Sequence, residues 1–104
     1  MSEYIQQLRD AILKNHGVES THIESVPVKE IHKGQTVWEG AVEVFQLWRH
    51  PKAEYAYAWT HGTDDGRLRH VTVLKVHPVQ SAADAVRLAI VKEFRSGNST
   101  AEEA

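Results

Sequence analysis

The chain lacks cysteine altogether, and this absence removes several kinds of site at once. Without a thiol it can form no disulfide, no thiolate zinc site, no iron–sulfur cluster and no cysteine nucleophile. The beginning of the chain has neither a basic start nor an apolar run, so it lacks the features of a secretory signal. No stretch has the length and hydrophobicity of a membrane span. We therefore expect a cytoplasmic protein that contacts no membrane.

The chain also has little excess charge of either sign, with a formal net charge of −2. Such a balance gives no long-range attraction for polyanions, so nucleic acid is a conceivable partner but not the favoured one. With 41% hydrophobic and 25% charged residues, the composition is that of a globular protein. A chain of 104 residues is long enough for one core. We expect a single domain over residues 1–97 and a polar, disordered tail over residues 98–104.

Two segments, one near each end, have the apolar spacing of amphipathic helices. The first begins at about Ser2, carries its apolar residues three and four apart, and ends before Gly17. The second follows Ser81, whose hydroxyl can cap a helix, and runs to about Arg95, shortly before Gly97. Each helix should bury one apolar stripe.

Three segments between these helices have strand character: 36–48, 54–61 and 68–77. Within the first, the alternation slips after Val44, and a bulge near Val44 or Phe45 would explain the slip. The preceding segment, 18–35, has no clean period and contains Pro27, which would remove a hydrogen bond from a central strand. We interpret it as an irregular edge segment with room for an extra edge strand.

The order of these elements predicts an α+β fold: a two-layer sandwich of order α-β-β-β-α, with an antiparallel sheet and the helices on one face. This layout resembles that of the double-stranded-RNA-binding domain, over most of the chain and in topology only. That family contacts RNA through a lysine-rich start to its last helix, where residues 81–85 here are SAADA. The resemblance therefore informs the fold and gives no support to RNA binding.

Three aromatic residues, Tyr55, Tyr57 and Trp59, alternate along one strand and form what we call the aromatic row. Aromatics that alternate with alanine usually face the helices, where each buries a large apolar area, so we expect this row to lie in the core. A one-to-one hairpin would pair Tyr57 with Val71 and Tyr55 with Val73. The alternative is an exposed stacking platform for single-stranded nucleic acid or a ring-shaped ligand.

The opposite face of the same strands is also too apolar to be open to water; it holds Ala56, Ala58, Thr72, Leu74 and Val76. If both helices cover the first face, the second must be covered by segment 18–35 or by another subunit. A symmetric homodimer is the commonest solution among oligomers. We therefore expect a homodimer or a protein partner, and a non-catalytic, self-associating protein-interaction module of unknown specific function.

Basic residues lie in two loops, Arg49 with Lys52 and Arg67 with Arg69. Such charges most simply solvate the surface. Together with the aromatic row they define the alternative function, a nucleic-acid-binding module whose affinity should fall steeply with salt. These seven residues are our only candidate binding residues.

No motif in the chain indicates catalysis, and we predict no catalytic residue, cofactor or metal site. Asp64 with Asp65 is most simply a turn, and Glu39 with Glu43 most simply marks the solvated side of a strand. Histidine is abundant but has no recognised ligand spacing. The pair we single out is His50 with His77, which the hairpin register would bring together. The seven histidines are His16, His22, His32, His50, His61, His70 and His77.

Overall fold

The computed structural model describes residues 3–62 and 66–91, which form a four-stranded sheet and two helices. The elements are α1 (Glu3–His16), β1 (Ser20–His32), β2 (Gln35–Leu47), β3 (Tyr55–Gly62) and β4 (Leu68–Leu74). A second helix, α2, covers residues 82–91. The predicted end of this helix at about Arg95, the predicted tail 98–104 and the turn at Asp64 and Asp65 lie outside the described residues. Within that part of the chain, neither helix has the length and hydrophobicity needed to span a membrane.

The sheet is antiparallel throughout, in the order β1-β2-β3-β4. The α+β class and the antiparallel sheet are thus confirmed, and segment 18–35 contributes a complete edge strand, β1. A two-residue turn joins β1 to β2 at Lys33 and Gly34, with φ angles of 52° and 77°. Positive φ at both central positions is typical of the tight hairpin turn whose twist matches that of its strands.

The two helices lie on opposite faces of the sheet, so the prediction that they share one face is wrong. Helix α1 contributes Leu8 and Ile12 to one core cluster, and α2 contributes Ala82, Ala85 and Val86 to the other. The molecule therefore has three layers, helix, sheet and helix, and its layout is not that of the double-stranded-RNA-binding domain. The sheet residues buried against α1 are Phe45, Leu47, Ala56 and Ala58, and those buried against α2 are Val28, Val42, Val44, Tyr57 and Trp59.

The slip of alternation in β2 is explained by the same arrangement, a helix on each face of the sheet. Val42 and Val44 face α2, whereas Phe45 and Leu47 face α1, and all four are buried. Because both sides of the strand are covered, apolar residues on both sides need no bulge in β2. The register shift at this level lies instead on β1, between His22 and Glu24.

The register of the β3–β4 hairpin differs by two residues from the predicted one. Tyr57 pairs with Val73 and Trp59 with Val71. A shift of two residues keeps every side chain on its own face, so the predicted faces of the aromatic row and of its neighbours survive. The proximity of His77 to His50 was predicted from a register that the hairpin does not have.

The predicted start of α2 is borne out by its hydrogen bonds. The Ser81 hydroxyl oxygen accepts from the backbone N–H of Asp84 at 3.1 Å. The Asp84 carboxylate in turn accepts from the N–H of Gln80 at 3.1 Å. The first of these bonds satisfies a donor that the start of the helix leaves without an intrahelical partner, and the second ties the preceding residue to the first turn.

If α1 covers the second face of the sheet, Leu8→Ala should lower the free energy of unfolding by about 2–5 kcal/mol, because it opens a cavity under the helix. Leu13→Ala, in the same helix but 42% exposed, is the matched control and should cost less than about 1 kcal/mol. Chemical denaturation of both variants checks this. Equal losses would show that α1 does not pack on the sheet as described.

Candidate interaction surfaces

The aromatic row lies in the core and does not form a stacking platform. Tyr57 is 5% exposed and Trp59 is 2% exposed, under α2. The Trp59 ring also packs against Trp38, with ring centroids 6.0 Å apart. Tyr55, at the start of β3, is half-buried, and the Lys75 ammonium lies 5.6 Å from the centre of its ring. The prediction that the row lies in the core is therefore confirmed for Tyr57 and Trp59, whereas Tyr55 is only partly buried.

The two pairs of basic residues do not form one patch. Arg49 and Lys52 precede β3, whereas Arg67 and Arg69 lie at the beginning of β4, which pairs with the end of β3. The eight residues of β3 span roughly 25 Å. The seven predicted binding residues are therefore divided among strand β3 itself and the chain segments at its two opposite ends.

The loop after β2 carries an exposed aromatic residue that sequence reasoning missed. Trp48 is 62% exposed, and the Arg49 guanidinium lies 4.7 Å from the centre of its ring, a cation–π contact. The His50 ring nitrogen Nδ1 accepts from the N–H groups of Lys52 and Ala53, at 3.0 and 3.1 Å. These bonds give the loop a defined shape. The predicted strand 36–48 included Trp48, whereas β2 ends at Leu47 and Trp48 is the first residue after it.

Glu43 is buried, contrary to the prediction that it marks a solvated side. It is 5% exposed and lies on the α1 face of β2. Its Oε1 accepts a hydrogen bond from the Ser25 hydroxyl and lies 2.8 Å from His22 Nε2. The His22 ring in turn packs on Phe45, with ring centroids 5.4 Å apart. Glu43 has the strand parity of Phe45 and Leu47, and that parity is the signal that could have indicated its burial.

A polar contact ties the end of α1 to β4. The Asn15 amide donates to the Thr72 hydroxyl oxygen at 3.0 Å, and His16 Nε2 lies 2.9 Å from the same atom. Burial, and then the nearby His50, lower the pKa of His16 below its ordinary value. A neutral imidazole can accept a hydrogen bond from the Thr72 hydroxyl, which is consistent with that direction.

Beside this contact, a shallow groove of about 360 Å³ runs between α1 and the outer side of β4. Its lining is mostly polar and includes one acid, Asp10, and one base, Lys14, with His70 on the strand side. The Asp10 carboxylate also accepts from the Gln6 amide within α1, at 2.9 Å. His70 is the β4 residue that lines this groove.

The hydrogen-bond phase of β3 and β4 determines which backbone groups face outward. The N–H of Lys75 donates to the carbonyl of Tyr55 at 2.9 Å. In an antiparallel ladder bonded pairs alternate, so Val73 and Val71 also bond to β3. The N–H and C=O groups of His70 and Thr72 therefore point away from the sheet. Because β4 is an end strand of the sheet, they face no further strand among residues 3–62 and 66–91.

The other edge of the sheet, β1, is interrupted at its centre. The N–H of Leu47 donates to the carbonyl of Glu54, the residue before β3, at 2.8 Å. The backbone N–H and C=O groups of the odd-numbered residues of β2 therefore point toward β3. Pro27 lies opposite Ala41, an odd-numbered residue, and its nitrogen therefore points outward. Proline has no N–H to donate there. Two register shifts, at His22/Glu24 and at Glu30/Ile31, further distort this edge.

A more apolar groove, of about 550 Å³, lies between the β1–β2 hairpin and α2. Its apolar residues are Ile31, Val37, Ile90 and Val91. At its rim Arg87 bridges the two elements, with Nε 2.8 Å from a carboxylate oxygen of Glu30. This groove reaches the last described residue of α2, and we assign it no occupant.

Comparisons of the chain with protein-family models, with curated protein sequences and with solved structures found no match. Among residues 3–62 and 66–91, no three histidine, aspartate or glutamate side chains come together as a set that could hold a metal ion. A function for the chain is therefore inferred from the surfaces described above.

Glu43→Ala should lower the free energy of unfolding by about 1–3 kcal/mol, because it removes the contacts of a buried carboxylate with the Ser25 hydroxyl and the His22 ring. Glu39→Ala is the matched control: the same residue type on the same strand and face, but exposed. It should change stability by less than about 0.5 kcal/mol. Thermal or urea unfolding of the two variants measures the difference. Equal stabilities would mean that the Glu43 carboxylate is solvated.

Proposed function

We propose that this chain is a non-catalytic, cytoplasmic protein-interaction module that self-associates by adding a strand at the outer edge of β4. The observation that supports this is the difference between the two edges of its sheet. An exposed edge is a row of unpaired backbone donors and acceptors, and it is a template for another strand. The β1 edge is interrupted by Pro27 and by register shifts, and the β4 edge is not.

The side chains of β4 support the same surface. Its residues alternate between the two faces without a bulge, and Val71 and Val73 are half-buried on the α2 side. On the α1 side Leu68 is 76% exposed, the largest fraction among the exposed large hydrophobic residues of the described chain. A strand added here would cover Leu68 and extend both apolar faces.

Self-association was predicted from the sequence for a different reason, namely an uncovered second face of the sheet. Helix α1 covers that face. With a helix on each face, the edges are the parts of the sheet at which a further strand can be added. Self-association is therefore proposed at the edge and not at a face.

Thr72→Pro tests the proposal, because it places in β4 an outward-facing proline like Pro27 of β1. The N–H of Thr72 points outward, so proline there removes no bond to β3 but blocks strand addition. We expect wild-type chain to shift from monomer to dimer between low micromolar and near-millimolar concentration, and the dissociation constant of Thr72→Pro to rise at least about tenfold. Sedimentation equilibrium measures both.

Thr72→Ala is the control, since it loses the same hydroxyl contacts with Asn15 and His16 but keeps the N–H. It should dimerise like the wild type. A wild-type monomer at every concentration would contradict the proposed self-association. An equal weakening by the alanine variant would show that strand addition at Thr72 is not its basis.

The nucleic-acid alternative has less support, because Tyr57 and Trp59 are buried and the two basic pairs lie at opposite ends of β3. Its remaining basis is the loop in which exposed Trp48 stacks with Arg49. Oligonucleotide quenching of tryptophan fluorescence that disappears in Trp48→Phe and weakens with salt would favour it.

A further inference from the structure

We propose, as a deepening of the self-association proposed above, that two copies pair their β4 strands antiparallel about a two-fold axis through Val71. The occupant of the β4 edge is thus the same edge of a second copy. The two four-stranded sheets join into one continuous sheet. Each face of that sheet then carries one helix from each copy.

The backbone phase permits this register. With Val71 opposite Val71 of the second copy, His70 lies opposite Thr72 of the second copy, and Thr72 opposite its His70. These are the residues whose N–H and C=O groups point outward. Each such pair exchanges both of its N–H···O bonds. Val71, whose own groups bond to β3, falls at a position between bonded pairs, as the alternation requires.

The side chains match in the same register. On the α2 face, Val71 meets its own symmetry mate, and opposed β-branched residues stabilise a strand pair. On the α1 face, Leu68 lies opposite Leu74 of the second copy. The large exposed surface of Leu68 is thereby covered by an apolar partner.

Side chains, and not charge, select this register over its neighbour. A two-fold through Thr72 would place Leu68 opposite a residue beyond the end of β4, whereas the axis at Val71 places it opposite Leu74 within the strand. Lys75 lies opposite an arginine of the second copy in either register, Arg69 or Arg67, so this like-charge contact does not distinguish them. The α1 flank beside β4 carries both an acid and a base, Asp10 and Lys14, so two such flanks meet without an excess of one sign.

Single-cysteine variants test the register directly, because the chain has no cysteine of its own. A pair between bonded positions in an antiparallel ladder has Cα atoms about 4.5 Å apart, within the range of about 4.4–6.8 Å that a disulfide needs. Val71→Cys should therefore form a covalent dimer under mild oxidation with glutathione disulfide. Non-reducing gel electrophoresis and mass spectrometry measure the yield.

Val73→Cys is the matched control, with the same residue type on the same strand and face. In the proposed register its symmetry mate lies four residues farther along the strand, beyond disulfide reach. The covalent yield of Val71→Cys should exceed that of Val73→Cys at least about tenfold. Under reducing conditions both variants should sediment like the wild type, which shows that they fold.

The outcomes separate this inference from the function on which it rests. Efficient cross-linking of Thr72→Cys with none of Val71→Cys would move the axis to Thr72 and overturn the proposed register, while self-association through β4 would stand. A dimer in which no β4 cysteine cross-links would overturn the pairing and leave self-association by another surface. A monomer at all concentrations would overturn both.

Discussion

The central strands β2 and β3 are apolar on both faces, and this constraint determines the rest of the structure. Val42 and Phe45 of β2, and Ala58 and Trp59 of β3, are all nearly inaccessible although they point to opposite sides. Apolar surface on both sides of a sheet must be removed from water on both sides. One helix on each face meets that requirement within a single chain, as α1 and α2 do. What remains open is the edge of the sheet.

Much of the fold could be predicted from local pattern. Periodicity located α1, β2 and β3, the Ser81 cap located the start of α2, and Pro27 indicated an edge strand. The placement of α1 could not be predicted in this way, because an amphipathic stripe shows that a helix is buried and not on which face. The sequence indicated the apolar second face, and we predicted that segment 18–35 or another subunit covers it, whereas α1 does. The hairpin register was wrong by two residues because pairing runs out to Gly62 and Leu68.

The candidate surfaces were less predictable than the fold. Residue type marked Arg49, Lys52, Arg67 and Arg69, but their separation follows from the length of β3. The strand parity that Glu43 shares with Phe45 and Leu47 indicates burial only once α1 is placed on that face of the sheet. Which backbone groups of β4 point outward depends on the alternation of its hydrogen bonds to β3. That alternation follows from the bond between the Lys75 N–H and the Tyr55 carbonyl, and amino-acid composition does not indicate it. The proposed association surface is defined by backbone direction and not by a motif, and this is why the sequence pattern did not indicate it.

Hydrogen–deuterium exchange of individual amides, followed against protein concentration, tests the central claim most directly. If both faces are covered and the β4 edge is the association surface, the amides of His70 and Thr72 should exchange fast in dilute solution and become protected as concentration rises. The inward amides of Val71 and Val73 should be protected throughout. Fast exchange at His70 and Thr72 at every concentration, with new protection on β1 or on a helix, would contradict the account.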